Sequence, residues 1–244
     1  MATPTAVELL WNEPSSPRRG PRPALTREAI VADAIALADA EGLGALSMQR
    51  LAERLGCAKM ALYRYVPAKG HLTALMLDAA VGGPPDLSTV AADGADDAPW
   101  RAALREWSRA IFERYSAHPW TVELAVGVRP VGPCETAWLD AALTPLTGSG
   151  LTGAERLDAV VLLNGHLRGL VQQVRGLSDA DVVGITRQYG DAVGHAADRF
   201  PAVAAALAEE AACTTAGGGA GSDAYTFGVE RILDGLAVLM ERRR

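Results

Sequence analysis

The sequence predicts an all-α protein: a small N-terminal three-helix module with a helix-turn-helix pattern, followed by a larger helical body. Three observations predict it. Apolar residues recur at three- and four-residue spacing in the segments beyond residue 24, capping residues and glycines punctuate those segments, and no run alternates as a strand would. With 244 residues, 49% hydrophobic and 21% charged, the chain can bury a real core and is far from a disordered composition.

Residues 1–24 carry five prolines (Pro4, Pro14, Pro17, Pro21, Pro23) and no period, which predicts a flexible arm, basic through Arg18, Arg19 and Arg22. Thr26 then offers an N-cap, and Ile30, Ala34, Leu37 and Ala38 keep helical spacing until Gly42 stops the first helix. Ser47 caps a short second helix, in which Met48, Leu51, Ala52 and Leu55 share a face and Gly56 ends the run. A third helix is expected from Ala58 to Val66, because Pro67 disfavours helical geometry at the residue before it. A fourth spans about Lys69 to Val81. This divides the chain into an arm (1–24), a helix-turn-helix domain (25–70) and a helical body (71–244).

Within the body, residues 82–97 read as a loop rich in Gly, Pro, Ala and Asp. Pro99 suits a first helical position and opens an apolar stripe of Trp100, Leu104, Trp107, Ile111 and Tyr115. Pro119 starts a further short helix, and another covers about Cys134 to Leu146, closed by Gly148 and Gly150. Thr152 with Glu155 forms a capping box for a long helix reaching about Leu177. Helices over about 178–197 and 201–212 precede a linker at 214–222. The last helix runs from Asp223 to the terminal arginines, whose charge suits a helix C-terminus.

The net charge of -6 conceals an asymmetry. Residues 18–70 hold nine Lys or Arg against five acids, hence +4, which leaves -10 for the remainder. Both lysines of the chain, Lys59 and Lys69, fall in this basic segment. A cationic module on an acidic body fits phosphate binding, since non-specific duplex affinity is mostly counterion release. No stretch approaches the roughly 18 apolar residues of a membrane span. Glu8 and Glu13 stand where a signal peptide would be apolar, so a cytoplasmic protein is expected. Cys57, Cys134 and Cys213 are widely separated and suggest free thiols, with neither a disulfide framework nor a metal site.

A helix-turn-helix places its second helix in the major groove. On a helical wheel Met60, Tyr63 and Arg64 fall within about 140° of Lys59, while Ala58, Leu62 and Val66 lie opposite, so one face is dry and the other equipped for a duplex. A tyrosine packs on the sugar-phosphate wall and bonds a phosphate through its hydroxyl; Lys59 supplies charge, and Met60 or Ala61 can meet a thymine methyl. The helix N-termini at Thr26 with Arg27, at Ser47 and at Lys69 add donors for phosphates. The arm could lie in the adjacent minor groove or serve only as a soluble tail.

The run Leu51-Ala52-Glu53-Arg54-Leu55-Gly56-Cys57-Ala58-Lys59-Met60-Ala61-Leu62-Tyr63-Arg64-Tyr65-Val66-Pro67-Ala68-Lys69 resembles the signature of TetR-family repressors, within a match that covers about residues 25–80. The resemblance implies base-facing positions at Gln49 and Lys59 to Ala61, and phosphate-facing ones at Tyr63, Tyr65 and Lys69. Cys57 with Ala58 departs from the family's usual valine and small polar residue. That departure leaves the cap of the recognition helix open, not the fold.

In the long helix Val160, Leu163, Leu167, Leu170 and Val174 form a heptad-like seam, and the last helix adds Val229, Ile232, Leu233, Leu236 and Met240. The resemblance implies that these two helices pair with their copies in a homodimer that presents two reading heads to a palindromic double-stranded operator. The other reading of both seams is intramolecular core. A pocket for a small-molecule inducer is expected along Trp107, Ile111 and Tyr115, with His118 and Trp120 beyond, and Asn164, Arg168 and Gln172 as polar contacts. For the aromatic stripe, plain core is the competing reading. No residue matches by motif the tetracycline-magnesium chemistry of the family, so no metal or cofactor is expected. An enzyme finds no catalytic motif, and Gly217 to Gly221 lacks the strand and lysine of a phosphate loop. A thiol-redox regulator acting through Cys57 is the remaining alternative.

Overall fold

The structure is a computed structural model that describes residues 4–12, 25–90, 98–174, 178–215 and 223–243, all helix, turn or loop. The first helix corrects the reading of residues 1–24 as an arm without regular structure. α1 (Ala6–Trp11) has a full capping box, in which Glu8 N–H donates to Thr5 Oγ1 at 3.2 Å and Thr5 N–H to the Glu8 carboxylate at 2.7 Å. Leu10 of α1 is buried, because the helix packs on the helix Lys69–Val81 (α5). The arginines of the expected basic arm lie outside the described residues.

Three helices follow: α2 (Arg27–Glu41), α3 (Met48–Arg54) and α4 (Lys59–Tyr63), with a one-turn 3-10 helix at Leu43–Ala45. Thr26 and Ser47 cap α2 and α3 by accepting the N–H of Ala29 and Arg50. At the end of α3, Gly56 takes φ +63° while its N–H donates to Glu53 O and the Cys57 N–H to Ala52 O, a Schellman turn that points the chain into α4. α4 is shorter than expected: residues 64–66 form a turn, with Tyr65 and Val66 N–H both donating to Leu62 O. Ala58, expected on the dry side, is its exposed N-cap, without a side-chain bond. α5 (Lys69–Val81) completes the head. Ile30, Leu37, Leu51, Leu62, Val66, Leu72 and Met76 meet in one core cluster.

The body comprises α6 (Pro99–Ala117), α7 (Thr121–Leu124), α8 (Pro133–Leu143), α9 (Gly153–Val174), α10 (Asp179–His195), α11 (Pro201–Thr215) and α12 (Ala224–Glu241). The expected loop at 82–97 contains a 3-10 turn at Leu87–Thr89, held by Asp86 accepting from Ser88 N–H, and the helix after Cys134 finishes as a 3-10 turn at Thr144–Leu146. The second core cluster joins α6, α8, α9 and α12. α5 feeds both clusters, giving Leu72 and Met76 to the head and Leu77 and Val81 to the body. Any displacement of α5 must therefore disturb both cores.

The proposed dimer seam needs correction. Val160, Leu163, Leu167, Val229, Leu233, Leu236 and Met240 are buried inside the protomer, where α9, α12 and α6 pack together. Leu170 and Ile232 are partly covered, and Val174 is exposed. A period near 3.5 marks an apolar face but not the molecule that covers it. No helix among the described residues is long and apolar enough to cross a membrane.

Candidate nucleic-acid interface and ligand cavity

The outer surface of the head separates into paired and unpaired charge. Arg50 forms two short bonds to the Glu41 carboxylate, and Arg54 does the same to Asp33, so both guanidinia hold α3 against α2. Lys59 and Arg64 are exposed and form no ion pair among the described residues, which concentrates free positive charge on and just after α4. Beside them Met60, a large apolar side chain, stands 73% exposed among the described residues. Tyr63 and Tyr65 are half-buried against the head core, leaving part of each side chain accessible, and Ala61 is half-buried. Gln49 is exposed and donates to Glu53 at 2.7 Å.

Two of the expected contacts also bond within the chain. Lys69 Nζ donates to Leu46 O at 2.8 Å and ties the start of α5 to the residue before the α3 cap. Arg27 Nη1 donates to Leu9 O at 3.0 Å, so this side chain turns toward α1 and away from a duplex face. Arg64, which the helical wheel places on the same face as Lys59, carries the second of these exposed charges.

A cavity of about 200 Å³ lies between α5, α6, α8 and α9. Trp107, Ile111 and Tyr115 of the aromatic stripe line it together with Asn164 of α9, and Tyr115 Oη donates to Asn164 Oδ1 at 2.9 Å. Burial, the largest cause, pushes the Tyr115 phenol above its ordinary range, so it stays a neutral donor. Trp138 supplies the facing wall: its ring meets Trp107 edge-on with centroids 6.0 Å apart. Trp107 Nε1 donates to Trp138 O at 2.8 Å, and Trp138 Nε1 to Gly82 O at 2.8 Å. Leu77 and Val81 of α5 and Glu135 of α8, itself paired with Arg129, also line it. Trp138, Leu77, Val81 and Glu135 escaped the sequence reading because they come from helices brought together only by folding.

His118, Trp120, Arg168 and Gln172 do not line the cavity, and their assignment is corrected. His118 Nδ1 and Trp120 Nε1 both reach Asp39 Oδ1 of α2, at 2.8 and 2.7 Å, and the Trp120 ring is buried in the head core. These residues clasp head to body. Arg168 donates to Val122 O at 3.3 Å, and Gln172 is exposed. A second clasp lies at α5, where buried Asp78 accepts the N–H groups of Cys134 and Glu135 at 2.9 and 3.2 Å and so caps α8. A Cβ on Gly132 would sit 2.1 Å from Asp78 Oδ1, so only glycine allows this approach. Trp11 of α1 adds a third link, donating to Val131 O at 3.0 Å in the segment that borders the cavity.

Cys57 and Cys134 are free thiols, half-buried against different core clusters. Among the described residues no group of three or more His, Cys, Asp or Glu could hold a metal ion.

A three-helix head with a free cationic edge, joined through α5 to a helical body around an aromatic cavity, defines a helix-turn-helix regulatory protein. Residues 30–74 match the family described as bacterial regulatory proteins, tetR family, and residues 93–240 match the tetracyclin repressor-like C-terminal domain. The chain belongs to the TetR family, a family of DNA-binding transcriptional regulators rather than of enzymes. It is 38% identical to the HTH-type transcriptional repressor DrrR1 of Streptomyces coeruleorubidus over 98% of this chain and 87% of that protein. Among solved structures it resembles apo ActR of Streptomyces coelicolor, with a TM-score of 0.67 at 22% identity over 92% of this chain and 100% of that one. ActR in complex with actinorhodin gives a TM-score of 0.65 at 24% identity over 87% and 95% of the two chains. At these identities the likeness to ActR concerns the fold.

Proposed function

We propose that this TetR-family protein is a cytoplasmic transcriptional repressor that binds a palindromic operator as a homodimer and is released by a small-molecule inducer. The observation that carries the reading is α5, which starts at the reading head and ends as a wall of the aromatic cavity. Residues 25–70 act as the DNA-reading unit and 71–244 as the sensing and dimerising unit. Gln49, Lys59, Met60 and Ala61 meet base edges, while Tyr63, Tyr65, Arg64, Lys69 and the N-termini at Thr26 and Ser47 engage phosphates.

The inducer is an aromatic molecule with a hydrogen-bonding group for Tyr115, Asn164 or Glu135. A body of this fold is solved with a small molecule in ActR in complex with actinorhodin; the aromatic character of the inducer rests on the Trp107, Tyr115 and Trp138 walls. The cavity of about 200 Å³ is below the roughly 300–1,000 Å³ of drug-sized sites. Such a ligand fits only by moving walls, and Leu77 and Val81 transmit that movement along α5 to the heads. Release then follows from a difference in ligand affinity between the two head spacings.

The dimer face is the outer side of α9 and α12. Leu162, Phe227 and Val238 are exposed there, and Gly165 and Gly235 have open space where a side chain would stand, which supports close helix approach. The test measures operator affinity by fluorescence anisotropy across a salt series. Arg64→Ala should reduce the salt slope by about one for its lost phosphate contact, and Lys59→Ala and Gln49→Ala should change base preference. A metabolite and antibiotic library, screened by melting temperature, should yield a compound that both stabilises the protein and abolishes operator binding. Unchanged DNA affinity in all three variants rejects the reading.

A further inference from the structure

We propose that the groove beneath α1 is a second small-molecule site, separate from the aromatic cavity, for an amphipathic ligand that joins an apolar body to one protonated amine. The groove holds about 630 Å³, within the roughly 300–1,000 Å³ range of drug-sized sites, and shares no lining residue with the aromatic cavity. Leu10 and Trp11 of α1, Val31 and Ile35 of α2, and Leu75 of α5 give it apolar walls.

The charge of the lining selects the ligand. Asp78 lies in the wall at 8% exposure, its Oδ1 held by the two α8 amides, and no cation pairs with it among the described residues. Arg27, the cation of the lining, already donates to Leu9 O and lies 3.8 Å from Glu28, which also lines the groove. The wall is therefore acidic by one charge, and its carboxylate is desolvated without a counterion. Burial pushes the Asp78 carboxyl above the usual carboxylate range, a cost that a ligand ammonium would offset. An anion would be repelled, and a purely apolar molecule would leave the carboxylate with only the donors at the start of α8.

Occupancy of this site would bear on the head directly. The groove is bounded by α1, by α2 of the head, and by α5 and the start of α8 in the body, so a ligand there wedges the same joint that the aromatic cavity addresses from the other side. The inference is independent of which compound fills the aromatic cavity.

The experiment uses the full-length protein and three probes on one ring system: 2-(1-naphthyl)ethylamine, the corresponding alcohol, and 1-naphthylacetic acid, titrated by calorimetry. The amine is expected to bind about tenfold more tightly than the alcohol, as a desolvated charge-assisted hydrogen bond implies, and the acid not measurably. Asp78→Asn keeps the shape and an acceptor oxygen, and should bring amine and alcohol to equal affinity. Ala32 lines the groove and Val161 the aromatic cavity, so Ala32→Trp should remove amine binding, whereas Val161→Trp should leave it intact. Equal binding of amine and alcohol to the wild type overturns the proposal, as does a preference that survives Asp78→Asn or is lost in Val161→Trp. Amine binding seen only after Arg18, Arg19 and Arg22 are replaced by serine would assign the groove to the chain's own segment 13–24, and would equally overturn it.

Discussion

Gly56 and Glu155 show how single residues control the larger geometry. At Gly56 the backbone sits at φ +63°, a left-handed conformation that costs a residue with a side chain about 1–2 kcal/mol. Nothing lies within 4 Å of an added Cβ there, so the penalty is one of backbone conformation rather than of collision. Gly56→Val should lower the melting temperature and weaken operator binding together, because the same turn aims α4; Gly44→Ala, at a glycine of ordinary φ, should do neither. Glu155 makes a pH prediction. Its carboxyl is lowered from 4.5 to about 2, first by the Thr152 N–H it accepts in the capping box and then by Arg243. A depressed carboxylate stabilises the fold above its ordinary value and loses that contribution as pH falls through the depressed one. Wild type should therefore be more stable than Glu155→Gln above pH 4.5 and converge with it toward pH 2, as read from urea midpoints across that range. Both residues stood out in the sequence, since a glycine after an apolar run and a Thr-x-x-Glu box act locally.

Among the helices, α1 was the one the sequence concealed. It has only six residues, and the prolines that follow at 14, 17, 21 and 23 dominate any window that contains it. The Thr5-Glu8 box was the available signal. What keeps so short a helix folded is its partner, because an isolated helix of this length is unstable in water. Deleting residues 1–12 should expose Val31, Ile35 and Leu75, and amide exchange should accelerate in α2 and α5 while α9 and α12 keep their protection. Equal exchange in all four helices would show that α1 does not cover this face. The loss of α4 residues 64–66 to a turn has the same kind of cause: Pro67 limits the helix from outside, and Val66 must swing into the head core.

For the assembled particle, the faces of α9 and α12 make the sharpest prediction. With Val160, Leu163, Leu233 and Met240 already buried within the protomer, charges on the outer face should act on assembly rather than on folding. Leu162→Lys combined with Val238→Lys should sediment as a monomer with unchanged helical content, and should lose operator affinity because one head replaces two. Sedimentation at dimer mass would place the interface elsewhere.

The sequence by itself determined the all-helical class, the caps and stops of most helices, the helix-turn-helix with its cationic edge, and one aromatic wall of the cavity. These depend on residues close together in the chain, where helical period and capping chemistry act over a few positions. Tertiary structure alone decided which apolar seams would be covered from within, that His118 and Trp120 clasp Asp39 instead of a ligand, and that Asp78 caps a helix 55 residues further on. Those outcomes rest on which distant faces exclude water together, and an apolar or polar face does not name its partner until the chain has closed on it.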